Sequence, residues 1–283
     1  MTALPPFLAD TPLEQKRAHL QEVLRRHAPL LIAYSGGVDS TLLLAVAHET
    51  LDTQCTGVIA DSPSLPRASL TEALRVAKSF GAHVEIIPTT ELEDPRYAEN
   101  PPNRCYFCKA ELFSKMEEIA AKRGFSTLAY GENADDPADL RPGSRAATEF
   151  SVIAPLKEAG LTKADVRELS HSMGLATSDA PAQPCLSSRI PHGVPVTREA
   201  LDFVERGEEI VRNFGFRIFR VRYLPPEGVL SKPGAKIQIA PAEMPGLEAI
   251  RSDLTAALKA TGFGNVEIDP GGYVGMAIRQ AIP

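Results

Sequence analysis

Nowhere in the 283 residues does an apolar run approach the roughly 20 residues that a helix needs to cross a bilayer, so no membrane span is expected. The N-terminal stretch lacks the basic residues and the apolar block of an export signal. It carries Pro5, Pro6, Asp10 and Glu14 instead, and the cytoplasm is the expected location. A basic excess is missing too. The formal net charge of -6 offers no general attraction for nucleic acid and favours small-molecule partners. No internal repeat or low-complexity tract interrupts the chain. Cysteine is scarce, with Cys55, Cys105, Cys108 and Cys185 making four, too few for a secreted disulfide scaffold. In a reducing compartment such a set points to metal binding or catalysis.

What is present is ordinary globular material, 43% hydrophobic and 23% charged, in a length that suits two moderate domains. Helical spacing of Leu20, Val23 and Leu24 marks a helix from Leu13 to about Arg26, followed by the buried-strand run Pro29 to Tyr34. The rhythm repeats with helices at about 39–49, 66–80 and 106–123 and strands at 55–60, 84–87 and 127–130. A helix capped at Thr162 ends near Met173. Alternation of this kind implies a doubly wound α/β domain, a parallel sheet covered on both faces with ligands at the carboxyl ends of its strands.

Pro181, Pro184, Pro191 and Pro195 crowd around Cys185 and stiffen a linker. The expected division is therefore 1–180 for the α/β domain, 181–196 for the linker and 197–283 for a smaller α+β domain. In the last, helices at 197–213 and 242–258 accompany strands at 218–223, 236–239 and 266–268.

Ser35-Gly36-Gly37-Val38-Asp39-Ser40 joins the first strand to a helix. Small residues, unshielded backbone N–H groups and a helix N-terminus suit a polyphosphate. Ser35 and Ser40 can donate hydroxyl hydrogen bonds, and Asp39 beside an anion makes sense if it orients the loop or binds a nucleotide's Mg²⁺. The bland alternative is a glycine-rich turn capped by serine. The Walker pattern, with its Gly-Lys-Ser/Thr, is absent, which speaks against a motor or GTPase. The loop in its strand and helix context closely resembles that of the PP-loop ATP pyrophosphatase superfamily, which implies an adenine nucleotide α-hydrolase-like fold, ATP as cofactor, adenylation and release of pyrophosphate.

Cys105 and Cys108 stand three residues apart at a helix start, on one face and near the positive end of the helix dipole. Cys185 is a candidate third ligand. Three thiolates can hold a [4Fe–4S] cluster with one iron open, or a zinc completed by His192 or water. Cys55, inside a strand, reads as core.

Together with Gly131-Glu132-Asn133-Ala134-Asp135-Asp136, Arg141-Pro142-Gly143, Pro184-Cys185-Leu186-Ser187-Ser188-Arg189 and Phe219-Arg220-Val221-Arg222, these residues resemble the LarE family of sulfur transferases that build the nickel-pincer nucleotide cofactor. The resemblance implies adenylation of a carboxylate of pyridinium-3,5-biscarboxylic acid mononucleotide and displacement of AMP by sulfur. It implies catalytic roles for Ser35, Asp39, Ser40 and Cys185. Nucleotide contacts fall at Ser35 to Ser40, Asp61, Gly131, Asn133 and Arg141. Some family members give up the sulfur of the cysteine matching Cys185; others, with the extra Cys-x-x-Cys, hold a cluster that carries sulfide from a donor. The second pattern is the one expected here, in a homo-oligomer.

Arg220 and Arg222 alternate on one strand and so share a face suited to a substrate phosphate, although solvated charges would look the same. Arg189 could steady a carboxylate or pyrophosphate. Asp135 and Asp136 could hold Mg²⁺ or simply shape a turn. Glu132 stands where the family would have a small hydroxyl residue. Rival readings are a tRNA thiolation enzyme, which the acidic balance disfavours, an amidating synthetase, which would not need the thiols, and a nucleotide-binding regulator with a structural zinc.

Overall fold

Short continuous apolar runs make the strands of the first sheet, and helices that bury apolar residues cover it. A computed structural model of the chain describes residues 11–137, 142–228 and 231–273. They form two compact units, Met1–Glu91 with Pro102–Gln183, and Leu92–Pro101 with Pro184–Pro283.

In the first unit α1 (Leu13–His27) leads into β1 (Leu30–Ala33), then α2 (Val38–Leu51), β2 (Cys55–Asp61), α3 (Arg67–Ser79) and β3 (Val84–Pro88). After α4 (Pro95–Ala98), which belongs to the second unit, come α5 (Arg104–Arg123), β4 (Thr127–Tyr130), α6 (Pro142–Glu149), α7 (Pro155–Glu158) and α8 (Lys163–Ser172). The four strands are all parallel and lie in the order β3-β2-β1-β4. Leu30 and Ile32 of β1 face a core with α1, α2, α7 and α8, whereas Leu31 faces Phe113 and Met116 of α5 on the other side. The sheet is thus doubly wound and covered on both faces. α2 is apolar nearly all round, with Leu42, Leu43, Leu44, Val46 and Ala47 fully buried.

The chain order reverses between β1 and β4, which opens a crevice at their carboxyl ends. Gly131, just past β4, closes tightly on the start of α2. A Cβ there would lie 2.8 Å from the Ser40 backbone nitrogen and 3.0 Å from the Asp39 carbonyl carbon.

The second unit holds the 3₁₀ turn Leu186–Arg189, α9 (Arg198–Asn213), β5 (Phe219–Leu224), β6 (Gly234–Ile239), α10 (Leu247–Ala260) and β7 (Val266–Ile268). Its sheet runs β5-β6-β7, antiparallel then parallel. Val211, Phe219, Val221, Ile237, Leu254 and Leu258 form its core. This is the expected small α+β unit. Its second helix starts later than the spacing suggests, because Pro245, which has no N–H, sits in the 3₁₀ turn Met244–Gly246 that precedes α10. The short helices α4, α6 and α7 were not anticipated; four to eight residues carry too little periodicity to read.

Lys16 on α1 is 3% exposed and donates to Asp165 Oδ2 at 2.7 Å. Asp165 also completes the capping box of α8 with Thr162. Burial works against the Asp165 charge, but hydrogen bonds from Lys16 and Thr162 prevail and hold the carboxyl below its ordinary value. A lowered folded value means that this stabilisation is complete above about pH 4 and is lost as the pH falls through the folded value. Asp165→Asn is expected to cost about 2–4 kcal/mol at pH 7 in urea unfolding, since it leaves a buried ammonium without its counter-charge. The gap to the unaltered protein should narrow towards pH 3; a constant gap would contradict the assignment. Gly131→Ala, whose added methyl meets backbone, is expected to cost about 1–3 kcal/mol in the same measurement.

Candidate functional site

At the end of β1 the Tyr34 N–H donates to Val58 O at 2.8 Å, and its hydroxyl donates to Ala73 O at 2.8 Å. These bonds fix where the chain leaves the sheet. Gly36 then takes φ +73°, and a Cβ there would lie 2.6 Å from that of Ala73, so both the backbone conformation and the space require glycine. Gly37 precedes α2 without a side-chain cap, which leaves the first N–H groups of the helix available to an anion.

Ser40 Oγ ties the loop together. It accepts from the Ser35 N–H at 3.2 Å, donates to Gly37 O at 3.1 Å and lies 3.1 Å from Ser35 Oγ. Ser35 and Gly37 are exposed, while Val38 and Ser40 are buried beneath them. The result is a preformed concave backbone with a solvent-open rim, suited to phosphate oxygens.

Asp39 anchors the crevice. Its Oδ1 accepts from Asn133 Nδ2 at 3.1 Å, and its Oδ2 accepts from Lys163 Nζ at 2.5 Å. Lys163 also donates its backbone N–H to Asp135 Oδ2 at 2.7 Å, so the Asp135 carboxylate caps the start of α8. Asp136 Oδ2 accepts from the Asn133 N–H at 3.2 Å. Both aspartates thus shape the loop after β4. Glu132, 5% exposed, accepts from Lys157 Nζ at 3.0 Å and from Ser144 Oγ at 3.4 Å. Asp61, at the end of β2, pairs with Arg67 on α3. Arg141 lies outside the described residues.

Cys105 and Cys108 occupy the first turns of α5, the former exposed and the latter half-buried; Cys185, in the second unit, is half-buried, and none of the cysteines is in a disulfide. Cys55 is different. It is 4% exposed, and burial, then the charge of Asp52, push its thiol up to about 11, which leaves it inert. Among the described residues no three His, Cys, Asp or Glu side chains gather in a metal-holding group.

In the second unit Arg189 is 3% exposed and sits under the Cys185 segment. Its Nε and Nη2 donate to the buried Glu208 at 2.7 and 3.0 Å, and its Nη1 donates to the carbonyl oxygens of Pro184 and Cys185 at 2.5 and 3.0 Å. Arg220 and Arg222 share the face of β5 opposite Phe219 and Val221. Arg222 donates to Gln238 Oε1 at 2.9 Å and to Ser188 O at 2.7 Å. The Arg220 guanidinium lies 4.5 Å from the Tyr273 ring centroid, and burial, then the charge of Arg189, lower its pKa while leaving it protonated.

Sequence reasoning passed over Lys163, Lys157 and Glu208. Lys163 did carry a signal, since a lysine at the first position of a helix opposes the dipole and calls for an anionic partner.

No protein-family model matches the chain. Over 225 residues, 77% of this chain and 84% of the other, it is 41% identical to an uncharacterized protein of Synechocystis. A GMP synthase of Thermomicrobium roseum is 27% identical over 235 residues, 74% of this chain and 43% of that one. The pyridinium-3,5-bisthiocarboxylic acid mononucleotide synthase of Lactiplantibacillus plantarum is 30% identical over 262 residues, 92% of each chain. With similarity running nearly end to end, over a parallel sheet whose first strand feeds a Ser-Gly-Gly-x-Asp-Ser loop, the chain belongs to the LarE family within the PP-loop ATP pyrophosphatase superfamily.

Proposed function

We propose that this protein is an ATP-dependent sulfur transferase that converts a carboxylate of pyridinium-3,5-biscarboxylic acid mononucleotide into a thiocarboxylate. The observation that carries the reading is the preformed loop Ser35 to Ser40 at the crevice between β1 and β4, in a chain similar along 92% of its length to a synthase of the bisthiocarboxylate nucleotide.

Carboxylate oxygen is a poor leaving group, so activation comes first. The substrate carboxylate attacks the α-phosphorus of ATP, an oxygen–phosphorus bond forms and the bond to pyrophosphate breaks. The loop N–H groups and the Ser35 and Ser40 hydroxyls hold the departing pyrophosphate. Asp39, supported by Asn133, would hold the nucleotide's Mg²⁺, which neutralises phosphate charge; Asp135 and Asp136 keep the neighbouring loop in register with it. Gly131 and Asp61 line the carboxyl ends of β4 and β2, where the adenosine is expected. Lys163 leaves Asp39 when nucleotide arrives and turns its ammonium to the phosphates.

Sulfur then forms a bond to the activated carbonyl carbon and AMP leaves. Cys105, Cys108 and Cys185 would hold a [4Fe–4S] cluster by donor chemistry alone, as soft ligands outside any disulfide; among the described residues they do not gather into a metal-holding group, and Cys55 is buried and inert. Such a cluster would carry sulfide from an external donor. Arg220 and Arg222 take the phosphate of the substrate nucleotide, and Arg189 holds the Cys185 backbone beside them.

Pyrophosphate release is expected with the biscarboxylate nucleotide and not with tRNA; release with tRNA alone would overturn the assignment. Lys163→Ala should raise the KM for ATP about tenfold or more, as expected for a lost charge-assisted contact, measured by pyrophosphate release. Anaerobic reconstitution with iron and sulfide should give a brown protein with broad visible absorption that Cys105→Ala lacks. Binding of zinc alone, or a loss of H₂S from Cys185 on turnover, would replace the cluster with another sulfur route.

A further inference from the structure

The turn that carries Cys185 has little regular structure of its own. Beyond the 3₁₀ stretch Leu186–Arg189 it runs as irregular chain to α9, so its polar backbone groups need partners from elsewhere. Those partners come in large part from one short segment. Leu92–Pro101 precedes the Cys-x-x-Cys helix in sequence yet belongs to the second unit.

Two side chains of this segment make the attachment. Tyr97 is 1% exposed, and its hydroxyl lies 2.7 Å from Ser187 Oγ, itself fully buried, two positions after Cys185. Asn100 is fully buried and holds φ +58°, a left-handed conformation that asparagine tolerates better than most residues. Its Nδ2 donates to Pro191 O at 2.8 Å and Val194 O at 2.9 Å, with Ile190 O further off at 3.4 Å. Carbonyls only accept, so the amide orientation is set and both of its hydrogens are used. Gly193 N–H returns a bond to Asn100 O at 3.1 Å, and Val196 N–H donates to Ala98 O at 2.8 Å.

Tyr97 therefore grips the turn just after Cys185, and Asn100 grips its outgoing limb. Leu186, Ser187 and Arg189 are buried while Cys185 stays half-buried, so this framework buries the residues that follow the thiol and leaves the thiol at its edge. Packing alone would not require polar anchors. Buried hydroxyls and amides cost free energy unless every bond is made, and their return is a single defined geometry.

We propose that Tyr97 and Asn100 are positioning residues for Cys185, and that the segment Leu92–Pro101 is a strap holding that thiol in its working place. The proposal deepens the reading of Cys185 as a sulfur-handling thiol, but its first readout does not depend on that reading. Pro101 stands four positions before Cys105, so the strap is continuous in sequence with the other two thiols.

The test compares the unaltered chain, Tyr97→Phe and Asn100→Asp, each as cluster-free full-length protein. Peptide mass spectrometry follows iodoacetamide labelling of Cys185, with buried Cys55 reporting opening of the first unit and the melting temperature reporting opening of the second. Tyr97→Phe removes one hydroxyl. It should raise the Cys185 rate about fivefold, the factor expected for one net hydrogen bond, with Cys55 unlabelled and a melting temperature lower by no more than about 4 °C. Asn100→Asp turns a carboxylate onto two carbonyls and should raise the rate about tenfold or more. Should that variant fail to fold, Tyr97→Phe decides alone.

A Cys185 rate unchanged in the folded variants would overturn the proposal, as would a rise accompanied either by Cys55 labelling or by a collapse in melting temperature. In turnover, the variants should keep the KM for ATP in pyrophosphate release and lose sulfur product. If the unaltered protein releases no pyrophosphate with the biscarboxylate nucleotide, the functional reading fails while the labelling result stands by itself.

Discussion

Asp39 accepting from both Asn133 and Lys163 is the contact on which the first unit's crevice depends. It joins the start of α2, the loop after β4 and the start of α8. The same residue stands in the first turn of α2, just after the Ser35-Gly36-Gly37 turn, so the contact also fixes the helix against the loop that precedes it. Lys163 balances the Asp39 charge from the start of α8. Gly131 makes the arrangement dimensionally tight, since nothing larger than hydrogen fits against the Asp39–Ser40 backbone.

The second unit solves a different problem. Its proline-rich turn, which carries Cys185, has few ladder bonds of its own. Arg189 and Glu208 form a buried pair beneath it, each satisfied by further bonds: Arg189 to the carbonyls of Pro184 and Cys185, Glu208 from the Val221 N–H at 3.3 Å. Arg222 adds a bond to Ser188 O from β5. A charge pair this deeply buried is costly unless it is fully hydrogen-bonded. Here its extra bonds go to the cysteine segment, so one network both satisfies the charges and orders the turn.

Much of the α/β fold was legible because buried parallel strands are short apolar runs between turn residues. Thr127–Tyr130 falls where its run places it. The loop was legible for the same reason, two glycines and two serines between such a strand and an apolar helix. The short helices α4, α6 and α7 were not, nor was the membership of Leu92–Pro101 in the second unit. Neither leaves a periodic trace. Glu132 was visible as an oddity, but its partner Lys157, 25 residues on, was not.

What the sequence by itself determined was local: where strands and helices form, that a glycine-rich loop follows β1, and that three thiols escape the core. Tertiary structure decided who meets whom. Asp39 finds Asn133 and Lys163 across 94 and 124 positions, and Tyr97 finds Ser187 across 90. Such pairings depend on crossovers and on side-chain reach, and hydrophobic periodicity carries no record of either. The turn from Ser35 to Ser40 could be read from its residues because two glycines and two serines shape it locally. The groups that surround Asp39 and Cys185 could not, because their partners are set by the packing of distant segments.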